Sequence, residues 1–177
     1  MASAASAAPG PNLWPVTLVR LHNETWGFDS NCFVCEPKNA LGLRIPFHHD
    51  DDRDIVVAEF TLDKTFSGAP TLVHGGVTLA ILDEAQSWAT IAVAKKFAVT
   101  GETTSRFHRP VRLDKTYRVE AKIEDRGDEK LRTSATILDH KERVCVESEA
   151  TFIVLSEAVA AEAIGAPLSE EESKYLR

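Results

Sequence analysis

Gly68-Ala69-Pro70-Thr71-Leu72-Val73-His74-Gly75-Gly76-Val77-Thr78-Leu79-Ala80-Ile81-Leu82-Asp83-Glu84-Ala85-Gln86-Ser87-Trp88-Ala89-Thr90-Ile91-Ala92-Val93 is the stretch that decides the fold. It opens on a chain-breaking Gly-Ala-Pro. It then runs apolar at nearly every helical position, through Val77, Leu79, Ala80, Ile81, Leu82, Ala85, Trp88, Ala89, Ile91, Ala92 and Val93. The pattern predicts one long helix over roughly residues 74–95. A helix apolar on all faces is a buried one, so other elements must wrap it. His74, Asp83, Glu84, Gln86, Lys95 and Lys96 interrupt the apolar region between Val73 and Val99, which excludes a bilayer span.

The wrapping comes from four β-rich segments downstream, Thr103–His108, Tyr117–Glu124, Leu131–Leu138 and Val144–Leu155. Short links such as Asp125-Arg126-Gly127-Asp128 and Asp139-His140-Lys141 join the later ones, which implies an antiparallel meander. Upstream, Ile55–Leu62 reads as a strand with Val56, Ala58, Phe60 and Leu62 on one parity, and Leu43–His48 as another. The acidic run Asp50, Asp51, Asp52, Asp54 reads as a solvated hairpin tip, with His48 and His49 beside it in a solvated loop. Residues 30–42 are turn-rich and read as a loop. Trp14, Val16, Leu18 and Leu21 are packing candidates in a short element over residues 13–29. The fold class is therefore α+β, one buried helix against a curved antiparallel sheet.

A chain of 177 residues fits one domain. We assign residues 1–12, rich in Ala, Ser and Pro, to a mobile N-terminal tail without the pattern of a secretory signal. Residues 13–155 form the domain. Residues 156–177 form a helical C-terminal tail in which Ser169 before Glu170, Glu171 and Glu172 looks like a capped helix start. The net charge of −7 argues against nucleic acid as a partner, which usually needs a basic face. Three cysteines, Cys32, Cys35 and Cys145, give no disulfide framework and suit a reducing, cytoplasmic compartment. Cys32-x-x-Cys35 has the spacing of half a zinc site, but no second pair follows and Cys145 lies far off in a strand. No metal is expected from that spacing.

The chemistry sits in the helix. Asp83 and Glu84 are adjacent, so they point about 100° apart, and at least one must face low dielectric if the helix is wrapped. Such a carboxylate is either used in chemistry or paired structurally, with Arg106 or Arg109 as partners. His74-Gly75-Gly76 lies at the N-terminal end, where free amides and the positive dipole end can hold an oxyanion. Alone, His-Gly-Gly also reads as a flexible lead into a helix. There is no Gly-x-Ser-x-Gly nucleophile elbow and no Gly-rich phosphate loop.

Gly68-Ala-Pro-Thr-Leu-Val-His74-Gly-Gly-Val77 followed by Leu82-Asp-Glu-Ala85 resembles the hotdog-fold acyl-CoA thioesterase superfamily, in its PaaI-like (phenylacetic-acid-degradation) branch. Cys32-Phe-Val-Cys35-Glu-Pro-Lys-Asn39-Ala-Leu-Gly42-Leu resembles a lead-in loop of that branch, and Phe107-His-Arg-Pro-Val111 its aromatic-x-Arg-Pro-Val strand. Together these cover about residues 31–155. The chain departs from the branch at Glu36 and Thr71, where Gly is common. It departs again at Gly68, where some relatives carry Asn, so a polar contact made there must come from elsewhere.

The resemblance implies a curved antiparallel sheet around one long central helix and an enzyme hydrolysing an acyl-CoA thioester, without cofactor, in lipid metabolism. It implies Asp83 as nucleophile or general base, the Gly75 N–H as polariser of the thioester carbonyl, and His74 and Thr100 in support. Substrate contacts are expected at Gly76 and at Ser87, one turn beyond Asp83. Basic residues for the CoA phosphates are expected at Arg106 and Arg109, with Arg112 and Lys115 nearby; a solvated cluster of strand-end cations is the plainer reading of the same four. A non-catalytic acyl-CoA-binding protein and a hotdog dehydratase are the rival functions. Gly75 and Asp83 are eight residues apart, roughly 12 Å along a helix, too far to serve one carbonyl. The spacing therefore predicts a homodimer, or a dimer of dimers, with Asp83 acting against Gly75 of a second copy.

Overall fold

The computed structural model describes residues 18–26, 30–165, 167, 168 and 170. The elements are β1 (Leu18–Arg20), β2 (His48–Asp50), β3 (Ile55–Thr61), β4 (Ser67–Ala69), β5 (Leu72–Val73), α1 (Gly75–Ala92), β6 (Ala98–Phe107), β7 (Thr116–Arg126), β8 (Lys130–Leu138), β9 (Val144–Val154) and α2 (Glu157–Ile164). A seven-stranded antiparallel sheet runs β1-β2-β3-β7-β8-β9-β6, and β4 and β5 form a separate two-stranded ribbon just before α1. This is the α+β plan expected from the apolar helix and the meander. Trp14, Val16 and Ser169 lie outside the described residues.

The helix is held by its apolar side. Ile81, Leu82, Ala85, Trp88 and Ala89 are buried, each at 3% exposure or less, against Val56, Ala58, Phe60, Val119, Ala121, Ala135 and Ile137 of the sheet. Burying one large aliphatic chain contributes about 1.5–3 kcal/mol, so this seam dominates the attachment of α1. The wrapping is incomplete. His74, Gly75, Gly76, Leu79 and Asp83 stay exposed, and Gly75, Leu79 and Asp83 recur every four residues along one face. A sequence apolar nearly all round thus keeps one uncovered stripe in the single chain.

Strands β7, β8 and β9 match their sequence signals within two residues. Strand β6 is longer than its signal and begins at Ala98. It forms the last strand of the sheet, and a bulge at Gly101 shifts its register against β9 between Thr100 and Glu102. Added bulk at Gly101 would come 3.0 Å from Ile153 Cγ1, so the Ile153 side chain would have to shift to make room for it.

Three expectations change. His48 and His49 do not sit in a solvated loop: they are half-buried in β2, paired with β1 and β3. Leu43–Phe47 is not a strand. Leu43, Ile45 and Phe47 are buried, but the Leu43 and Ile45 amides donate to the Phe33 and Val34 carbonyls of the preceding loop, at 2.7 and 2.9 Å. The alternation is real, and its partner is a loop. Asp50 is not solvated either. It is fully buried and accepts from the Arg53 backbone N–H at 3.2 Å and Arg53 Nε at 2.7 Å, while Asp51, Asp52 and Asp54 remain exposed. Asp139 does the same for the β8–β9 turn, accepting from the Lys141 and Arg143 amides and from Arg143 Nε.

Burial by itself would raise the Asp50 carboxyl, but the Arg53 side chain and amide outweigh it and hold the group below its ordinary value of 3.8. A carboxyl lowered in the folded state stabilises above the unfolded value and stops doing so as pH falls through the folded one. Asp50→Asn should therefore cost about 1–2 kcal/mol at neutral pH, through imperfectly satisfied donors. Denaturant melts of both proteins should show that difference shrinking below about pH 4. A difference that stays constant down to acid would remove the pair from the account.

Candidate active site

Chain direction brings the predicted residues to two stations on the exposed stripe of α1. At the N-terminal station, His74 is the N-cap, in extended conformation at φ −61° and ψ 133°. Its Nδ1 accepts the Gly76 N–H at 2.9 Å and its carbonyl receives the Thr78 N–H at 3.0 Å. An accepting Nδ1 carries no proton, so a neutral His74 ring holds its proton on Nε2. His74 supports the station as a cap. The Gly76 N–H is spent on that cap, whereas Gly75, as the first residue of the helix, has an amide with no helical partner and stands at the positive dipole end.

Gly68 explains how His74 is set. A methyl group there would lie 2.8 Å from His74 Cα, which is backbone and cannot swing away. The His74 N–H also donates to the Phe66 carbonyl at 2.9 Å. The β4 ribbon thus passes directly under the cap, and glycine replaces the polar residue found there in some relatives. No side chain is needed at 68 to fix His74.

At the second station, two turns along, Thr100 Oγ1 donates to Asp83 Oδ1 at 2.6 Å. Thr100 pairs with the buried Phe152 in the β6–β9 register and so faces the helix, as do Thr103, Ser105 and Phe107 beyond the bulge. Ser87 is half-buried one turn further along the same face, and its carbonyl accepts from Thr90 Oγ1 at 2.8 Å. Beneath lies a polar layer: Gln86 accepts from Thr133 at 2.7 Å, and Ser148 bonds both Thr103 and Ser105 at 3.0 Å.

The two stations are apart within one chain. At the far end of β6, the Phe107 ring comes within 4.0 Å of where a Gly75 Cβ would stand, while Thr100 holds Asp83. Seven residues of extended strand span roughly 23 Å, and eight helical residues roughly 12 Å. Arg106 and Arg109 flank Phe107 at the Gly75 end. Arg106 lies on the opposite sheet face and pairs with Glu147 at 3.0 Å, and Arg109 Nη1 donates to the Val144 carbonyl at 2.5 Å. Arg112 contributes its backbone N–H to Tyr117 at 3.0 Å.

Glu84 turns the other way. It is half-buried against the loop of residues 30–42, where Cys32 Sγ donates to Glu84 Oε1 at 3.4 Å. Burial, then the Cys32 and Asp83 charges, push the carboxyl up to about 8. Cys32 is lowered, first by its hydrogen bond with Cys35 and then by backbone amides, and Cys35 is raised by that same bond and by burial. This contact spans 52 residues of sequence, and no spacing signal pointed to it.

Residues 71–146 match the family model of the thioesterase superfamily. A thioesterase superfamily protein of known crystal structure is 28% identical and aligns over 78% of this chain and 68% of its own, with a TM-score of 0.67. The Escherichia coli PaaI protein from the phenylacetic acid degradation operon is 17% identical over 64% of this chain and 81% of its own, with a TM-score of 0.58. A hypothetical thioesterase protein from Streptococcus pneumoniae, solved with coenzyme A, is 16% identical over 58% and 82%, with a TM-score of 0.55. At those identities the last two share the fold. No curated protein matches the sequence. No helix among the described residues is long and apolar enough to cross a membrane.

Gly68→Ala should displace His74 and loosen its cap, at a cost of about 1 kcal/mol. Chemical melts of Gly68→Ala, His74→Ala and the double variant should be non-additive, since both act on one contact. Additive losses would mean that Gly68 does something other than seat His74.

Proposed function

We propose that this chain is a member of the hotdog-fold thioesterase superfamily and hydrolyses an acyl-CoA thioester to a free carboxylic acid and CoA, with Asp83 as nucleophile or general base. The observation that carries the proposal is the exposed Asp83 carboxylate with one oxygen fixed by Thr100 at 2.6 Å. That bond orients the carboxylate and leaves Oδ2 to face a water or a carbonyl carbon. The neighbouring Glu84, held high by burial, is unsuited to the same task at neutral pH.

As general base, Asp83 takes a proton from water while the water oxygen attacks the thioester carbonyl. The carbonyl oxygen becomes an oxyanion held by the Gly75 N–H and the dipole of α1. Its collapse breaks the C–S bond, and the leaving thiolate of CoA takes up the proton. As nucleophile, Asp83 would form an acyl anhydride that water then opens, with the same products. Ser87 lies where it can help place the water. Arg106 and Arg109, at the Gly75 end of β6, are the proposed contacts for CoA phosphates, Arg106 by exchanging its pair with Glu147. A CoA-bound relative of the same fold makes CoA a sensible ligand to test.

The two stations are proposed to come from different subunits. Three features support this: their separation along α1, the uncovered Gly75-Leu79-Asp83 stripe, and β6 as the last strand of the sheet with Val99 and Phe107 half exposed. A sheet edge with exposed apolar side chains invites pairing with another copy.

Asp83→Ala should lower thioester hydrolysis, read by free thiol release over short, long and aryl acyl-CoAs, by about 100-fold or more, with the fold unchanged by circular dichroism. Unaltered turnover would reject Asp83. For the shared site, Gly75→Pro removes the amide hydrogen and puts a ring carbon in its place, in a backbone that accepts it, because proline is tolerated at the first helical position and His74 already has the extended conformation that precedes proline. Each single variant should be inactive. Mixed and reassembled in equal amounts, they should regain about a quarter of wild-type activity, since half the dimers carry one intact site. Failure of the mixture to regain activity, with mixed dimers demonstrated, would confine the site to one chain.

A further inference from the structure

Three donor atoms with no part in the proposed reaction meet on another face of α1, about 100° round from the Asp83 stripe. Cys32 Sγ, Cys35 Sγ and a Glu84 carboxylate oxygen all lie within 4.8 Å of one another. Cys32 Sγ and Glu84 Oε1 are 3.4 Å apart. Around a tetrahedral ion with bonds of about 2.3 Å to sulfur and 2.0–2.2 Å to oxygen, such atoms sit about 3.6 Å from each other. The Cys32–Glu84 separation is therefore already near an edge of a zinc tetrahedron, and the other two separations, at 4.8 Å or less, are within about 1.2 Å of one.

Their surroundings suit thiolates. The Val34 and Cys35 amides donate to Cys32 Sγ at 3.3 and 3.2 Å, and Asn23 Nδ2 lies 3.4 Å from Cys35 Sγ as its donor. Both sulfurs thus receive N–H donors, as metal-bound thiolates do. A cavity of about 140 Å³ adjoins Cys35 and is also lined by Leu21, His22, Asn23 and Trp88. The buried Trp88 indole N–H has no hydrogen-bond partner among the described residues. The cavity has room for a fourth ligand, and His22 on its wall carries the right chemistry for one.

We propose that Cys32, Cys35 and Glu84 bind a divalent ion of the zinc class, the fourth position being taken by His22 or by a water in the adjoining cavity. Two thiolates favour zinc or cobalt over magnesium or calcium. A disulfide between the two cysteines would consume both sulfurs and strip Glu84 of the thiol that now donates to it. The ion would tie the loop of residues 30–42 to the middle of α1, one residue from Asp83 and on another face. It is a fastening for the helix and takes no part in hydrolysis, so the proposal stands or falls apart from the proposed reaction.

The test uses the full chain, purified under reductant, stripped with chelator and titrated with Co(II) and then Zn(II). One equivalent of Co(II) per chain should give a sulfur-to-cobalt charge-transfer band and intense visible bands of tetrahedral coordination, both abolished by Zn(II). Zinc should protect two of the three cysteines from a thiol reagent. Cys35→Ser and Glu84→Gln should each weaken binding at least tenfold, while Asp83→Ala, on the neighbouring residue, should bind as the wild type does. Absence of the charge-transfer band in the stripped wild type would overturn the proposal whatever the variants do. Equal binding by Cys35→Ser would overturn it too. So would a chain isolated without reductant that is two mass units lighter and takes up no metal once reduced, which would establish a disulfide at this place instead.

Discussion

The seam of Ile81, Leu82, Ala85, Trp88 and Ala89 against the inner face of the sheet is the contact on which the rest depends. It fixes the rotation of α1, and rotation decides the surroundings of every polar residue the helix carries. Asp83 and Glu84 are neighbours in sequence and about 100° apart on the helix. With the seam as it is, Asp83 reaches the sheet's last strand and meets a hydroxyl in open surroundings. Glu84 reaches the loop between β1 and β2 and meets two thiols in poor solvent. Burial thereby pushes the Glu84 carboxyl up to about 8 in the absence of a bound cation.

The same rotation accounts for the amides at the start of the helix. His74 closes one of them by capping Gly76 and leaves the amide of the first residue open. That selectivity rests on a backbone approach, Gly68 under His74, and not on any charged partner. Positioning by close contact leaves the station open, as the proposed reaction would require.

Much of this was legible in the sequence. The apolar run from Val77 to Val93 and the short turns between β7, β8 and β9 are local signals, and they gave the helix, the meander and the α+β class. Asp83, Gly75, His74 and Thr100 are what the family resemblance implies, and Thr100 does bond Asp83. Where the reading failed, the cause was contact between distant segments. The alternation of Leu43, Ile45 and Phe47 says that one side is buried, but not that its partner is a loop. Asp50 looks like its exposed neighbours until Arg53 folds back on it. The Cys32–Glu84 contact depends on where residues 30–42 cross α1, and no periodicity encodes a crossing.

The bulge at Gly101 works as a phase shift. Along an unbroken strand, residues an odd number apart point to opposite faces, so Thr100 would stand against Thr103, Ser105 and Phe107. One extra residue absorbed at Gly101 cancels the mismatch and turns all four toward α1. Both stations of the site therefore share one strand only because that strand miscounts once. Substitutions along β6 leave this arithmetic alone. Loss or gain of a single residue between 100 and 107 would not, since one end of the strand would then present its outer set of side chains to the helix. Length, more than composition, is what this strand must keep.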